Sequence, residues 1–202
     1  MNVNRKGVTT ILFFGDSLTA GYGLSSPREQ SFPALIAQKL KRENFEFKVL
    51  NAGRSGDSSF DGLHRLDNCL GKAIDIFVLE LGINDIIRGV PAHHTKQNLD
   101  IILKTVRQKF PNCKLAILGM DAPDSIRTER IYAFRSASEI AAFKSMFRDL
   151  ATLHQAALVP FFLNGVVGVR NLNLPDGIHP NSEGYRVIAE HVWPIIKQML
   201  QF

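Results

Sequence analysis

Three residues, one near the start of the chain and two near its end, carry the functional groups that acyl transfer requires. Ser17 has a hydroxyl, which is a weak nucleophile until a base removes its proton. His179 is the natural base, because a neutral imidazole accepts a proton near neutral pH. Asp176 precedes it by three residues with Gly177 between, so a tight turn would bring the carboxylate to the imidazole Nδ1 and stabilise the imidazolium.

Two further residues have the groups that stabilise negative charge on a substrate carbonyl oxygen. Gly56 has no side chain to block a carbonyl group, so its backbone N–H can face this oxyanion. The side-chain amide of Asn84 offers a second donor and the Ser17 backbone N–H a third, and one such donor typically contributes about 3–4 kcal/mol. Each residue also has a simpler explanation: a helix cap for Ser17, a turn glycine for Gly56 and a cap at a strand end for Asn84.

Short apolar runs alternate with longer amphipathic stretches along the chain, which is the pattern of an α/β protein. The predicted strands cover residues 8–14, 45–50, 74–81, 115–118 and 158–162. The alternation predicts one domain, residues 1–202, folded as a three-layer α/β/α sandwich with a five-stranded parallel sheet. Ligands of such sheets bind at the carboxyl ends of the strands. Ser17, Gly56 and Asn84 each follow a predicted strand, at the positions where chemistry is expected.

Apolar residues three or four positions apart indicate the helices between these strands. The predicted helices cover residues 30–42 and 61–70, and a third has apolar residues from 99 to 110. A fourth helix begins at the capping box Ser136-x-x-Glu139, and a last one, capped by Asn181, runs to about residue 200.

Four short blocks in this order resemble the GDSL, or SGNH, hydrolase family, and most of all its lysophospholipase L1, acyl-CoA thioesterase I and arylesterase group. The blocks are Gly15-Asp16-Ser17-Leu18, Ser55-Gly56-Asp57, Gly82-Ile83-Asn84-Asp85 and Asp176-Gly177-Ile178-His179-Pro180. The resemblance extends from residue 10 to about residue 200 and implies the flavodoxin-like SGNH hydrolase fold. It also implies that Ser17 is the nucleophile, that Asp176 and His179 are orienter and base, and that the Ser17 backbone N–H, Gly56 and Asn84 form the oxyanion hole.

Two departures from the family pattern bear on substrate binding. Ile83 stands where thioesterase-like relatives often have glycine, and its branched side chain would either narrow the substrate pocket or pack against the core. The stretch from residue 121 to about 137 is longer than in close relatives and contains Tyr132 and Phe134. These side chains either line the acyl site or belong to an ordinary surface loop. Ile83, Tyr132 and Phe134 are therefore the candidate substrate-binding residues.

These observations favour a serine esterase that hydrolyses acyl or aryl carboxylic esters through an acyl-enzyme, with thioesters and lysophospholipids as further candidate substrates. Such a reaction needs no metal and no organic cofactor. The alternative is a carbohydrate O-deacetylase or O-acyltransferase that uses the same site, although the single tryptophan, Trp193, lies in the last predicted helix rather than in a sugar cleft. A non-catalytic binding module is disfavoured, because the chain has every group that the chemistry requires.

Composition and charge exclude several other classes of protein. The chain has 24 Lys and Arg against 19 Asp and Glu, a net charge of +5, but the basic residues are scattered, which argues against a nucleic-acid partner. The apolar stretches fall far below the roughly 20 residues of a membrane span, so no integral membrane association is expected. The first apolar run is also too short for a signal peptide. We therefore expect a cytoplasmic protein, or a periplasmic or secreted one if the chain is a processed form, with its oligomeric state open.

Overall fold

Five parallel strands form a sheet in the structure, a computed structural model that describes residues 8–71, 73–120 and 135–200. The strands are β1 (Thr9–Gly15), β2 (Phe47–Gly53), β3 (Ile76–Glu80), β4 (Lys114–Leu118) and β5 (Ala157–Val159). Their order across the sheet is β2-β1-β3-β4-β5, all parallel. This is the flavodoxin-like order, with its switch point between β1 and β3. The predicted fold class is confirmed.

Helices cover both faces of the sheet and complete the three layers. They are α1 (Ser17–Ala20), α2 (Pro27–Gln30), α3 (Phe32–Arg42), α4 (Ser59–Cys69), α5 (Ile83–Arg88), α6 (Ala92–Lys109), α7 (Ala137–His154) and α8 (Ser182–Leu200), with a 3₁₀ turn at Arg170–Leu172. Helix α3 packs against α8, whereas α4 and α7 pack against α6. Within the described residues, none of these helices combines the length and the apolar character that a membrane span needs.

Burial along the strands follows their place in the sheet. All five residues of β3 are buried, as expected for a central parallel strand covered on both faces, whereas the edge strand β2 is only half-buried. The register places Gly15 of β1 opposite both Gly53 of β2 and Glu80 of β3. The three strands therefore end level with one another, and the loops that follow them start from one edge of the sheet.

Side chains cap two helices at the starts that the sequence predicts. The Asn181 Oδ1 atom accepts the backbone N–H groups of Glu183 and Gly184 at 3.0 and 3.1 Å, which confirms the predicted cap of α8. The Ser136 hydroxyl accepts the Glu139 N–H at 3.2 Å at the start of α7. The Glu139 carboxylate in turn accepts the Ala92 N–H, so it links the first turn of α6 to that of α7.

Two of the differences between the structure and the predicted elements have a clear physical reason. Strand β5 ends at Val159 rather than continuing to residue 162, because Pro160 has no N–H with which to extend the ladder. Phe161 beyond it forms an isolated antiparallel bridge with Met120. Helix α5 was not predicted, since its six residues are too few to show helical periodicity.

Candidate active site

Ser17, His179 and Asp176 lie in one line at the carboxyl edge of the sheet. The Ser17 Oγ atom is 2.9 Å from His179 Nε2, and His179 Nδ1 is 2.7 Å from Asp176 Oδ2. The first of these contacts joins residues that are 162 positions apart in the chain. The Ser17 residue is 6 % exposed and the His179 side chain 20 %, so the imidazole between Ser17 and Asp176 is partly open to solvent.

The loop that holds Asp176 and His179 is a tight turn closed by the Asp176 carboxylate. Its Oδ1 atom accepts the backbone N–H groups of Ile178 and His179 at 2.9 and 3.0 Å, and Gly177 supplies the positive φ of 69° that the turn requires. Partial burial alone would raise the pKa of Asp176, but the two backbone donors and the His179 ring lower it below the usual value. Asp176 therefore faces the imidazole as a carboxylate.

A tyrosine packs against the imidazole of His179. The Tyr22 ring is half-exposed, and its centroid lies 4.5 Å from that of His179. Tyr22 follows Ser17 by five residues, in the loop after α1. Its motif gave it no predicted role, although its place close to the serine was a usable signal.

The serine is held by a turn whose cap is Asp16. The Asp16 Oδ1 atom accepts the Leu18 N–H at 2.9 Å and lies 3.5 Å from the Ser17 hydroxyl. The hydroxyl of the buried Tyr185 donates to the Ser17 carbonyl oxygen at 3.4 Å from the opposite side of the turn. A side chain at Gly15 would overlap Thr19 and Glu80, so only glycine allows the turn to sit this close to β3.

Gly56 and Asn84 lie in the loop after β2 and in the first turn of α5, on the same edge of the sheet. Gly56 has a φ of 86°, and a Cβ atom there would meet nothing nearer than Arg88, at 3.8 Å, so the backbone at this position is open to an approaching ligand. The Asn84 Nδ2 atom donates to the Asp57 carbonyl oxygen at 2.9 Å and to Asp16 Oδ2 at 3.2 Å. The structure thus brings all five predicted catalytic and oxyanion-hole residues to one edge.

The side chain of Arg65 in α4 links the loops that carry Gly56 and Ser17. It pairs with the Asp57 carboxylate, donates to the Gly15 carbonyl oxygen at 2.9 Å, and stacks on the Phe14 ring at 4.2 Å. These contacts fix the ends of β1 and β2 relative to each other. Arg65 was not predicted from the sequence, since nothing in its helical context indicates that it reaches the sheet edge.

The three predicted substrate-binding residues have different outcomes. Ile83 is 2 % exposed and belongs to the hydrophobic core, which favours the packing alternative over a place in the pocket. Tyr132 and Phe134 lie outside the described residues. In the part of the chain that the structure describes, no three His, Cys, Asp or Glu side chains are grouped so that they could hold a metal ion.

Two buried carboxyl groups lie directly behind the serine. Burial raises the pKa of Asp16 to about 7, and the nearby Asp85 and Asp57 add to the effect, although the Leu18 N–H opposes it. Burial raises the pKa of Glu80 well above its usual value, and the charge of the neighbouring Asp16 raises it further. Glu80 Oε2 contacts the Thr19 hydroxyl at 2.7 Å and the Asp16 N–H at 3.3 Å, while its buried Oε1 has no hydrogen-bond partner among the described residues. Burial therefore favours the protonated, neutral form of Glu80.

A raised pKa of Glu80 makes stability depend on pH with a defined sign. Above the pKa that Glu80 has in the unfolded chain, folding takes up a proton at this residue. The free energy of unfolding therefore falls as the pH rises toward the pKa of Glu80 in the folded protein, by up to about 1.4 kcal/mol per pH unit. Glu80→Gln removes this group. We expect the free energy of unfolding, measured with urea from pH 5 to 8, to fall less steeply with pH in the variant, and parallel curves would contradict the raised pKa of Glu80.

The chain is similar to known proteins along most of its length. The GDSL-like lipase/acylhydrolase family model matches residues 13–187. The chain is 36 % identical over 197 residues to the esterase TesA of Pseudomonas aeruginosa, covering 97 % of this chain and 92 % of that protein. It is 35 % identical over 182 residues to thioesterase 1/protease 1/lysophospholipase L1 of Escherichia coli strain K12, covering 90 % and 80 % of the two chains.

A solved structure shows the same architecture. The crystal structure of the psychrotrophic esterase EstA from a Pseudoalteromonas species, inhibited by monoethylphosphonate, superimposes with a TM-score of 0.82 at 29 % identity, over 96 % of this chain and all of that one. With the family match and the two relatives, this similarity leads to one conclusion. The chain belongs to the GDSL-like lipase/acylhydrolase family and is an enzyme that hydrolyses ester bonds.

Proposed function

We propose that this protein is a serine esterase in which Ser17 forms the acyl-enzyme, His179 transfers the proton and Asp176 orients the imidazole. The observation that carries the proposal is the unbroken line from the Ser17 hydroxyl to His179 Nε2 at 2.9 Å and from Nδ1 to the Asp176 carboxylate at 2.7 Å. A serine becomes a nucleophile when a base is within hydrogen-bond distance and a third group holds that base. The lowered pKa of Asp176 supports the third role, because a carboxylate at Nδ1 leaves Nε2 free to accept a proton.

Acylation begins when Ser17 Oγ attacks the ester carbonyl carbon. The new C–O bond forms as His179 Nε2 takes the hydroxyl proton, and the carbonyl electron pair moves onto the oxygen as an oxyanion. The backbone N–H groups of Ser17 and Gly56 and the amide of Asn84 are the proposed donors to this oxyanion. When the intermediate collapses, the bond to the leaving alcohol breaks and the alcohol takes the proton from His179 Nε2.

Deacylation repeats these steps with water as the nucleophile. His179 Nε2 takes a proton from water, the water oxygen attacks the acyl carbon, and Ser17 leaves with the proton returned. Asp176 stays ionised throughout, and its charge stabilises the imidazolium that forms twice in each turnover. Tyr22, whose ring centroid lies 4.5 Å from that of His179, is proposed to limit rotation of the imidazole.

Acyl and aryl carboxylic esters are the proposed substrates. Thioesters and lysophospholipids are the next candidates, because a relative of this chain bears the name thioesterase 1/protease 1/lysophospholipase L1. A series of p-nitrophenyl esters of increasing acyl length, run beside palmitoyl-CoA and lysophosphatidylcholine, would rank these classes. Glycerol or a sugar added in competition with water would detect acyl transfer and test the O-acyltransferase alternative through its products.

A fluorophosphonate probe tests the assignment of the nucleophile. We expect it to label the folded enzyme once per chain, with the adduct at Ser17 by peptide mapping, because only a serine activated by a base attacks phosphorus at an appreciable rate. Heat-denatured enzyme should remain unlabelled, since unfolding separates Ser17 from His179. A folded, active enzyme labelled at another residue would refute the assignment of Ser17.

A further inference from the structure

We infer that Tyr22 forms the leaving-group subsite of the active site, where its half-exposed ring binds the alcohol part of an ester. The inference deepens the proposed function and rests on it, because it takes Ser17 as the nucleophile and His179 as the group that protonates the leaving alcohol. Two observations carry it: the contact between the Tyr22 ring and the imidazole, and the exposure that the Tyr22 ring keeps despite this contact.

The chemistry of ester cleavage decides which part of the substrate lies beside Tyr22. The oxygen of the leaving alcohol takes its proton from His179 Nε2, so it has to come within hydrogen-bond distance of that atom, roughly 3 Å. The Tyr22 ring lies against the same imidazole, with 4.5 Å between the two centroids. The carbon atoms next to the leaving oxygen are therefore on the side of the site where Tyr22 lies. The carbonyl oxygen of the ester is directed instead to the proposed oxyanion hole.

Contacts with two loops fix the position of Tyr22 in the structure. Its backbone N–H donates to the Ser17 carbonyl oxygen at 3.0 Å. The next residue, Gly23, has a φ of 78° and packs so closely on Leu174 that a Cβ atom at position 23 would lie 2.3 Å from Leu174 Cδ1. The Leu174 N–H in turn donates to the His179 carbonyl oxygen at 2.8 Å. Tyr22 is thus attached to both the serine turn and the histidine loop, and its exposed ring is a preformed surface.

This surface favours a neutral, apolar leaving alcohol, and an aromatic one most of all. The planes of the two rings are tilted by 45°, so the imidazole covers only part of Tyr22, and the residue stays 50 % exposed. A ligand that covers the ring removes apolar surface from water, and a second aromatic ring adds a specific pairing to that gain. The Asp176 carboxylate at His179 Nδ1 is 38 % exposed and disfavours an anionic alcohol.

The test compares two esters that share an acyl group. Benzyl acetate and ethyl acetate form the same acetyl-enzyme, so the ratio of their kcat/KM values reports the leaving group alone. Tyr22→Ala is expected to lower this ratio by about 3- to 10-fold, the value of one aromatic contact, whereas Tyr22→Phe should keep it within about twofold of wild type. Equal losses for both esters in Tyr22→Ala would overturn the inference, because a ring that only limits rotation of the imidazole affects every ester alike.

Two controls separate the leaving-group subsite from a general effect. Ethyl butyrate and ethyl acetate differ only in the acyl group, and Tyr22→Ala should keep their kcat/KM ratio within about twofold of wild type. Phe60→Ala is the matched control variant and should keep the benzyl-to-ethyl ratio. Phe60 is 58 % exposed, and its ring also packs on a histidine, His64, with 4.0 Å between the centroids. A loss in either control as large as that of the benzyl-to-ethyl ratio in Tyr22→Ala would overturn the inference.

A measurement on the wild-type enzyme covers the case in which Tyr22→Ala does not fold. When an alcohol replaces water in deacylation, its oxygen attacks the acetyl carbon, His179 Nε2 takes the hydroxyl proton, and Ser17 leaves with the proton returned. With p-nitrophenyl acetate as acetyl donor, we expect benzyl alcohol to give more acetate ester than ethanol does at equal concentration. Equal or poorer capture by benzyl alcohol would overturn the inference. Failure of the proposed function has a different sign, namely ester hydrolysis that survives Ser17→Ala.

Discussion

Ser17→Ala is expected to lower kcat for p-nitrophenyl butyrate by about 10⁵- to 10⁶-fold, the loss seen when a triad serine is removed from a hydrolase of known mechanism. The physical reason is that the substitution removes the hydroxyl oxygen that lies 2.9 Å from His179 Nε2. The measurement is steady-state hydrolysis at pH 8, with product release followed by absorbance and corrected for uncatalysed hydrolysis in buffer.

The loss of activity in Ser17→Ala is expected to reflect the missing nucleophile and not unfolding of the variant. The cap of α1 is the Asp16 side chain, and the carbonyl oxygen of residue 17 that Tyr185 contacts is part of the backbone, so the variant keeps both contacts. We expect its melting temperature to stay within a few degrees of wild type. Ser25→Ala, at an exposed serine bonded to Gln30 in the loop after α1, is the control and should keep full activity. Ser17→Ala with more than a tenth of the wild-type kcat would contradict the proposal.

The place of the site could be predicted from the sequence because a parallel sheet gathers its strand ends. Each of the first three strands is followed by one of the polar blocks, and the register that sets Gly15 opposite Gly53 and Glu80 makes the three strands end level. An apolar run that stops at a glycine or a polar residue already defines such an end. The sequence could therefore place Ser17 and Asn84 at one edge before any distance was known.

Contacts between loops could not be predicted in this way. Tyr22 meets His179 across more than 150 positions, and Arg65 reaches the Gly15 carbonyl oxygen from the middle of a helix. Both contacts depend on where a long side chain ends, which neither hydrophobic periodicity nor spacing specifies. The same limit applies to Ile83, whose side chain could have turned to the pocket or to the core until its burial decided the question.

Glu80 is an intermediate case. It is an acidic residue at the end of an otherwise apolar strand, between Leu79 and Leu81, and such a residue in a buried strand indicates an unusual environment. The sequence does not indicate which group lies beside the Glu80 carboxyl. Only the pairing of β1 with β3 brings Asp16 beside Glu80, and only then does it follow that two neighbouring carboxyl groups behind the serine cannot both be ionised at low cost.

Asp176→Asn is expected to lower kcat by about 10⁴-fold while the loop keeps its shape. The asparagine oxygen can still accept the Ile178 and His179 N–H groups at the Oδ1 position, so the turn is retained. Its NH₂ group would take the place of Oδ2 and donate to His179 Nδ1, which leaves the imidazole proton on Nε2. In that tautomer Nε2 donates toward Ser17 and cannot accept the hydroxyl proton.

This variant separates orientation of the imidazole from simple contact with it. Because the pKa of Asp176 is lowered, the wild-type carboxylate stays ionised from pH 5 to 9, and the tautomer it selects does not change over that range. The activity ratio of wild type to Asp176→Asn should therefore be large at every pH between 5 and 9 when both are assayed with p-nitrophenyl butyrate. Asp149→Asn is the matched control and should keep full activity. Asp149 is an exposed aspartate of α7 that pairs with Lys96 of α6. A loss below tenfold in Asp176→Asn would mean that His179 finds its tautomer without Asp176, and the role assigned to this carboxylate would be wrong.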